Sequence, residues 1–307
     1  MKVAVCILTY RRPAGLTRLL EGLAALTFEG DPPDVRCLVV DNDDAGSARA
    51  VCQQVSQGYR WRLDYHMEPR RGIPQARNAA ITQTAHDADY LAYIDDDEVP
   101  EPNWLDELLR VGRLHDADVV TGPVAPHFTD PPPAWLIKGR FLEKPRPATG
   151  TLLDRAFTGN VLFRAALVRD GSLRFDERLA LTGGEDGHFF RRVHRAGHRI
   201  VWADDAVAHE WTSGARLTAR WILRRAYRIG TATTHIELDL RPVPSAVVLV
   251  LTLGGYRILK GLLLWPVCAL FSHHLRVRYL RQVYYGAGLL AGLTGHRYEE
   301  YRETTVA

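Results

Sequence analysis

An α/β fold, with a mostly parallel sheet flanked by helices and a C-terminal helical region that associates with a membrane, is the class this 307-residue sequence predicts. Three observations predict it. The first 125 residues alternate short β-rich runs with helical stretches, the pattern of βαβ units. One of those runs, Tyr90-Leu91-Ala92-Tyr93-Ile94, ends in four acidic residues, Asp95-Asp96-Asp97-Glu98. In open α/β sheets ligands bind outside the carboxyl ends of the strands, so this is a good place for chemistry. After Trp211 the chain turns basic, apolar and helical.

Element by element, Val3–Leu8 reads as the first strand. Pro13 suits a helix start, and Leu16, Leu19, Leu20, Leu23 and Leu26 form its apolar stripe. Val35–Val40, Trp61–His66 and Tyr90–Ile94 are the next strands, with a helix over Ile73–Ala85 opened by Gly72 and Pro74. Asp118–Gly122 closes a first half at about residue 125, and Pro123, Pro126 and Pro131-Pro132-Pro133 impose an irregular stretch. A second half, 126–212, holds a strand over Thr158–Phe163, a helix over Glu185–Ala196 stopped by Gly197, and strand segments at Ile200–Trp202 and Ala206–His209. The remainder, 213–307, is the helical tail.

Composition narrows the class. With 46% hydrophobic residues the chain is no disordered protein. Cys6, Cys37, Cys52 and Cys268 lack the paired spacing of a zinc site or a disulfide framework. The N-terminus runs straight into a strand pattern without a secretory signal, which gives an expectation of a cytoplasmic location. Charge divides along the chain. Residues 1–210 hold 26 Lys/Arg against 31 Asp/Glu, and 211–307 hold 13 against 5. Within the tail, Ala246–Leu253 and Gly261–Phe271 are apolar, with Arg257 and Lys260 between them. Neither run reaches the roughly 20 residues of a spanning helix. Joining them places two cations near mid-membrane at about 3 kcal/mol each. The expectation is helices lying in the interface of an anionic cytoplasmic leaflet, or a short re-entrant pair.

The acidic run points to a cation. Packed carboxylates repel and raise one another's pKa unless a counter-charge intervenes. Mg²⁺ or Mn²⁺ accepts oxygen ligands of this kind. Asp95 and Asp97 form an Asp-x-Asp pair that shares one side of an extended segment, leaving Asp96 and Glu98 on the other. A solvated acidic turn is the plainer alternative. Glu185 and Asp186 follow Thr182-Gly183-Gly184 at a helix start, where a carboxylate is a cap or a general base. Asp41 ends the second strand and can accept from a pyrimidine ring N–H or form an Asx-turn. Thr9, Tyr10 and Arg12 suit stacking on and bonding to such a base, and Arg71, Gly72 and Arg77 lie near the same sheet edge. His209 is a candidate third metal ligand or a structural histidine.

Taken in order, Thr9-Tyr10-Arg11-Arg12, Val39-Val40-Asp41-Asn42, Arg71-Gly72-Ile73-Pro74-Gln75-Ala76-Arg77-Asn78, Ile94-Asp95-Asp96-Asp97-Glu98 and Gly183-Gly184-Glu185-Asp186 resemble the motifs of inverting family-two glycosyltransferases. The resemblance spans about residues 1–212. The stretch from Trp135 to Trp211 and the tail are further similar to bacterial enzymes that add glucose or a related sugar to polyprenyl-diphosphate-linked exopolysaccharide intermediates. A GT-A type, Rossmann-like fold is implied.

Carried over by the resemblance, Asp41 reads uracil, and Thr9, Tyr10 and Arg12 cradle the base. Asp95 and Asp96 lie on the nucleotide side and Asp97 holds the metal. Asp186 is the catalytic base with Glu185 beside it. Processive members carry Gln-x-x-Arg-Trp after the base, whereas Leu217-Thr218-Ala219-Arg220-Trp221 keeps only the last two. One sugar per acceptor is therefore expected. Arg220, Arg224, Arg225 and Arg228 recur at helical spacing, a face for the acceptor's or the donor's diphosphate or for a membrane surface.

The function implied is metal-dependent hexosyl transfer from a UDP-sugar to a glycan or polyprenyl-linked acceptor, at the cytoplasmic face of the inner membrane. No nucleic acid partner is expected, and a homo-oligomer is compatible. Two alternatives stand beside it: a non-catalytic nucleotide-sugar-binding or scaffold subunit of an assembly complex, and a sugar nucleotidyltransferase. The latter usually opens with a Gly-rich phosphate loop, which Leu8-Thr9-Tyr10-Arg11-Arg12 lacks.

Overall fold

The computed structural model describes residues 1–212 and 214–298. The chain forms two compact units. The first comprises Met1–His127, Lys144–Ala180 and Glu185–Trp211; the second comprises Phe128–Glu143, Leu181–Gly184 and Thr212–Ala307. A single cut in the sequence does not anticipate this division, because two segments from the expected second half, 126–212, belong with the tail.

The first unit is built on a mixed sheet. Its strands are β1 (Lys2–Thr9), β2 (Asp34–Asp41), β3 (Arg62–Met67), β4 (Tyr90–Asp95), β6 (Val119–Thr121), β8 (Leu152–Leu153), β9 (Asn160–Arg164) and β10 (Ile200–Trp202). They run in the order β3-β2-β1-β4-β9-β6-β10-β8. From β3 to β4 every pairing is parallel, and β9 enters antiparallel between β4 and β6. The helices are α1 (Pro13–Ala24), α2 (Arg49–Ser56), α3 (Ile73–Thr84), α4 (Trp104–Leu114), α6 (Ala166–Arg169) and α7 (Glu185–Arg195). A small second sheet orders β5 (Glu98–Pro100), β11 (Ala208–Thr212) and β7 (Val124–Phe128) as β5-β11-β7.

Strand alternation sorts the core onto two faces. Val3, Val5 and Ile7 of β1 pack with the leucines of α1 and with Trp104, Leu105 and Leu108 of α4. Ala4 and Cys6 turn the other way, to Ala76, Ala80 and Ile81 of α3 and Phe189 and Phe190 of α7. A strand buried on both faces has to read as the continuous apolar run seen here. The register then aligns the carboxyl ends: Thr9 pairs with Asp41, and Leu8 with Asp95.

In the second unit α5 (Ala134–Gly139) accompanies three long helices, α8 (Ala219–Leu240), α9 (Val243–Ala269) and α10 (His273–Leu293). Leu136, Phe141, Leu217, Ile222 and Val277 form its core. The two apolar runs expected as separate pieces are one continuous helix. Over Val243–Cys268 it is long and apolar enough to cross a membrane. Arg257 does not interrupt it, because the guanidinium donates to Gln282 and lies 5.4 Å over the ring of Tyr285, both on α10. Val248, Leu251, Leu259, Leu262 and Leu263 remain exposed on α9.

Candidate active site

Three strands deliver the site. β4 ends at Asp95, and residues 96–97 form a tight turn, so the expected strand alternation stops there. Each carboxylate of the run consequently takes a different environment. Asp96 is buried; it accepts from the hydroxyl of Thr9 at 2.8 Å and from Arg12 Nη1 at 3.0 Å. The same Arg12 nitrogen reaches Asp97 Oδ2 at 3.0 Å. Glu98 folds back, and its Oε2 accepts the Asp95 backbone N–H at 3.0 Å. Thr9 and Arg12, expected at the base, thus engage the acidic run. Burial opposes the charge on Arg12, but Asp96 and Asp97 outweigh it and hold its pKa above the ordinary value.

Crowding shows in the carboxyl groups. Asp95 is raised to about 7, first by burial, with Arg77 pulling it down and Asp97, Asp96 and Asp186 pushing it up. Burial, then Asp95 and Asp97, hold Glu98 well above its usual range. Asp95 meets β9 where there is little room: a Cβ on Gly159 would lie 2.5 Å from Glu98 Oε1 and 3.4 Å from Asp95 Oδ2. Only a glycine lets the strand pass the two carboxyl groups this closely.

The base candidate joins the cluster from α7. Gly183 and Gly184, both at positive φ, lead into Glu185 and Asp186 at the helix start. Glu185 is buried and forms an ion pair with the buried Arg77 of α3. Burial works against the Arg77 charge, and Glu185, Asp186 and Asp95 together more than restore it. One atom on each side of the pair, Arg77 Nε and Glu185 Oε2, has no hydrogen-bond partner. Asp186 stays partly exposed, with Gly187 N–H donating to its Oδ1 at 2.6 Å. Asp95, Asp186 and Arg77 therefore converge at the carboxyl edge of the sheet.

Other expected residues take different places. Asp41 is fully buried, accepting from Asp43 N–H at 3.1 Å, Ala48 N–H at 2.8 Å and the Tyr65 hydroxyl at 3.1 Å. Its carboxylate shapes the following loop and does not stand open to a base. Tyr10 lies under two guanidinium groups, Arg11 at 5.0 Å and Arg71 at 5.2 Å. Gly72 caps α3 at φ 142° and donates its N–H to Asn42 Oδ1 at 2.8 Å. His209 is not brought to the acidic run. It pairs with Val99, one strand position from the Glu98 and Glu210 pair and so on the opposite face, and its Nε2 lies 2.6 Å from Glu101 Oε1. Arg220 and Arg224 lie exposed on α8 of the second unit.

Two contributors were given no role of their own in the sequence reading. Asn42 ties the β2 end to the loop before α3, donating to the carbonyls of Glu68 and Arg70 at 2.9 Å. Asp43 is buried and binds Arg11 at 3.3 Å. Asn42 closes the motif Val39-Val40-Asp41-Asn42, and the signal for Asp43 was adjacency to Asp41.

The donor set fits a hard divalent ion. Asp95 and Asp97 offer oxygen alone, and Asp95, raised first by burial, also has Asp97, Asp96 and Asp186 pushing it up against Arg77, a cluster of negative charge that a cation would offset. An α/β unit that gathers carboxylates, a buried arginine and a helix start at its carboxyl edge has them where open α/β sheets bind their ligands. The profile of glycosyl transferase family 2 matches residues 4–173, and the chain belongs to that family. It is thus a glycosyltransferase.

Among its relatives is the succinoglycan biosynthesis protein ExoM of Rhizobium meliloti (strain 1021). The two are 32% identical over 315 residues, which cover 99% of this chain and 97% of the relative. Two solved structures share the fold. The mannosyltransferase PcManGT from Pyrobaculum calidifontis, in complex with GDP-Man and Mn²⁺, aligns with TM-score 0.63 and 16% identity, covering 96% of this chain and 88% of that one. S. aureus TarS 1–349, in complex with UDP-GlcNAc, aligns with TM-score 0.56 and 16% identity, covering 97% and 93%.

Proposed function

We propose that this protein transfers one hexose, with inversion, from a UDP-sugar to a hydroxyl of a glycan or polyprenyl-diphosphate-linked acceptor in cell-surface polysaccharide assembly. The observation that carries this reading is the convergence of Asp95, Asp186 and Arg77 at the carboxyl edge of the sheet. The kinship with a succinoglycan biosynthesis protein supports the polysaccharide setting. The nucleotide sugars bound by the fold neighbours support the donor class.

In this reading Asp95 and Asp97 hold Mg²⁺ or Mn²⁺, which when bound neutralises charge growing on the departing diphosphate. Arg77, kept cationic by its carboxylate neighbours, adds a fixed positive charge on the same side. Asp186 takes the proton of the acceptor hydroxyl as that oxygen attacks the anomeric carbon from the face opposite the diphosphate. The C–O bond to the nucleotide breaks as the new glycosidic bond forms, so no glycosyl-enzyme arises. Tyr10, Arg71 and the loop shaped by Asp41 and Asn42 form the nucleotide side. The helical second unit works at the cytoplasmic membrane surface.

The test is a panel of nucleotide sugars with Mn²⁺, read as nucleotide release with and without a lipid-linked acceptor. UDP release from one UDP-hexose is expected; pyrophosphate release would indicate a nucleotidyltransferase instead. Asp186→Asn should lower transfer by about a hundred- to ten-thousandfold, the scale of a lost general base, with UDP affinity little changed. Turnover at the wild-type rate would remove Asp186 from the role of base.

A further inference from the structure

We propose that Trp211 is a positioning residue for Asp97: its indole, held by His127 and Arg18, fixes the strand end whose N–H fastens the acidic turn. The proposal rests on the assignment of Asp97 to the metal given above and adds the residue that holds the backbone of that carboxylate in place.

Within the first unit the turn is gripped from two sides. On one side lies α1. A Cβ on Gly15 would come 2.5 Å from the Asp96 carbonyl oxygen, and one on Gly22 would come 2.7 Å from a methyl group of Val99. Arg18 stands about one helical turn from each glycine and so on the same face of α1. On the other side lies β11, which pairs antiparallel with β5. One residue past the pairing of Glu210 with Glu98, the Trp211 N–H donates to the Asp97 carbonyl at 2.7 Å. Asp97 itself precedes β5, so this bond ties the turn, and not merely the strand, to β11.

A bond at the end of a ladder frays easily, because it has a neighbouring bond on one side only. Here the side chain of the donor residue steadies it. His127, in β7, stacks on the indole with ring centroids 4.2 Å apart and 29° between the planes. Arg18 places its guanidinium 5.5 Å from the centre of the ring. Aromatic stacking and a cation over a π-face both attract. The Arg18 contact is with the ring and not through its Nε, which is buried without a hydrogen-bond partner among the described residues. Three elements far apart in the sequence, α1, β7 and β11, thus meet at one side chain, next to the turn.

The side chain of Asp97 inherits this order. Its Oδ2 lies 3.0 Å from Arg12 Nη1, and its own carbonyl is held by Trp211, so both ends of the residue are fixed. Groups that orient a metal ligand without touching the ion change metal affinity by roughly ten- to a hundredfold. Removing the indole leaves the N–H at position 211 but takes away what keeps it under the Asp97 carbonyl.

The experiment is Mn²⁺ titration of the full-length protein without sugar nucleotide, followed by electron paramagnetic resonance of the free ion, beside hydrogen exchange at the backbone amide of position 211. Trp211→Ala should weaken Mn²⁺ binding by at least about tenfold. Trp211→Phe keeps a flat ring for His127 and Arg18 and should retain most of the affinity. The double variant Arg18→Met, His127→Ala leaves the indole and removes both of its partners; it should speed exchange at the Trp211 amide and weaken Mn²⁺ in the same direction. Circular dichroism of the ion-free variants separates a lost fold from a misplaced turn.

Wild-type Mn²⁺ affinity in folded Trp211→Ala, or unchanged exchange at the Trp211 amide in the double variant, overturns the positioning role. Asp97→Asn tests the metal assignment by itself. If that variant binds Mn²⁺ as the wild type does, the assignment made in the proposed function fails, and exchange at position 211 still decides whether the ring holds the turn.

Discussion

Glu98 does at residue scale what its position in an acidic run conceals. It is buried, and its carboxyl group accepts the Asp95 N–H that ends β4. Glu98→Ala strands that donor and empties the space beside Gly159, at a cost of about 1–3 kcal/mol from the unpaired N–H alone. Glu98→Gln keeps an acceptor and should recover most of that loss. Urea unfolding of both variants decides the matter; equal midpoints would show that the contact does not hold the turn.

Asp95 predicts a pH dependence of metal binding. Its pKa of about 7 in the folded chain lies above the ordinary 3.8. In metal-free protein the stability it contributes is fully present below pH 3.8 and is lost as pH rises through about 7. In the proposed function a divalent ion would take the place of that proton. The rise in unfolding temperature on adding Mn²⁺ should therefore grow between about pH 5 and 8. A rise that stays constant across this range would separate Asp95 from the ion.

At the scale of elements, close helix contact in the second unit depends on glycine. A Cβ at Gly288 would collide with the Tyr227 carbonyl, a backbone atom that cannot turn aside. Gly288→Ala should destabilise the helical unit by about 1–3 kcal/mol, the usual cost of overpacking, whereas Ala at Gly255, where a Cβ meets nothing, should not. Thermal unfolding followed by circular dichroism distinguishes the two.

Elements were legible where local signals sufficed. β1, β2 and β4 were read to within a residue or so at each end, because burial on both faces forces long apolar runs. Helix α4 was not read, although Leu105, Leu108, Leu109 and Val111 carry the spacing. The sheet of β5, β11 and β7 joins segments over 80 residues apart, a pairing no local pattern encodes. Site residues divide the same way. Motif spacing singled out Asp95, Asp186 and Arg77, which the structure brings near one another, but the turn at 96–97 redirects Asp96 and Glu98, and cross-strand register turns His209 away to Glu101.

For the whole molecule, charge distribution is the property with a consequence. Residues 211–307 hold 13 Lys/Arg against 5 Asp/Glu, and α9 presents exposed leucines and valines. Attraction to an anionic bilayer is screened by salt, and burial of apolar surface is not. Recovery on phosphatidylglycerol vesicles should thus fall between about 0.05 and 0.5 M NaCl without reaching zero. Complete release by salt would leave α9 without a share in the attachment.

Arg12 stands across Asp96 and Asp97 with half of its side chain exposed. The acidic turn accordingly carries a resident counter-ion. In the proposed function an ion held by Asp95 and Asp97 would have to take the Asp97 oxygen from that guanidinium, so loading would be an exchange of one cation for another.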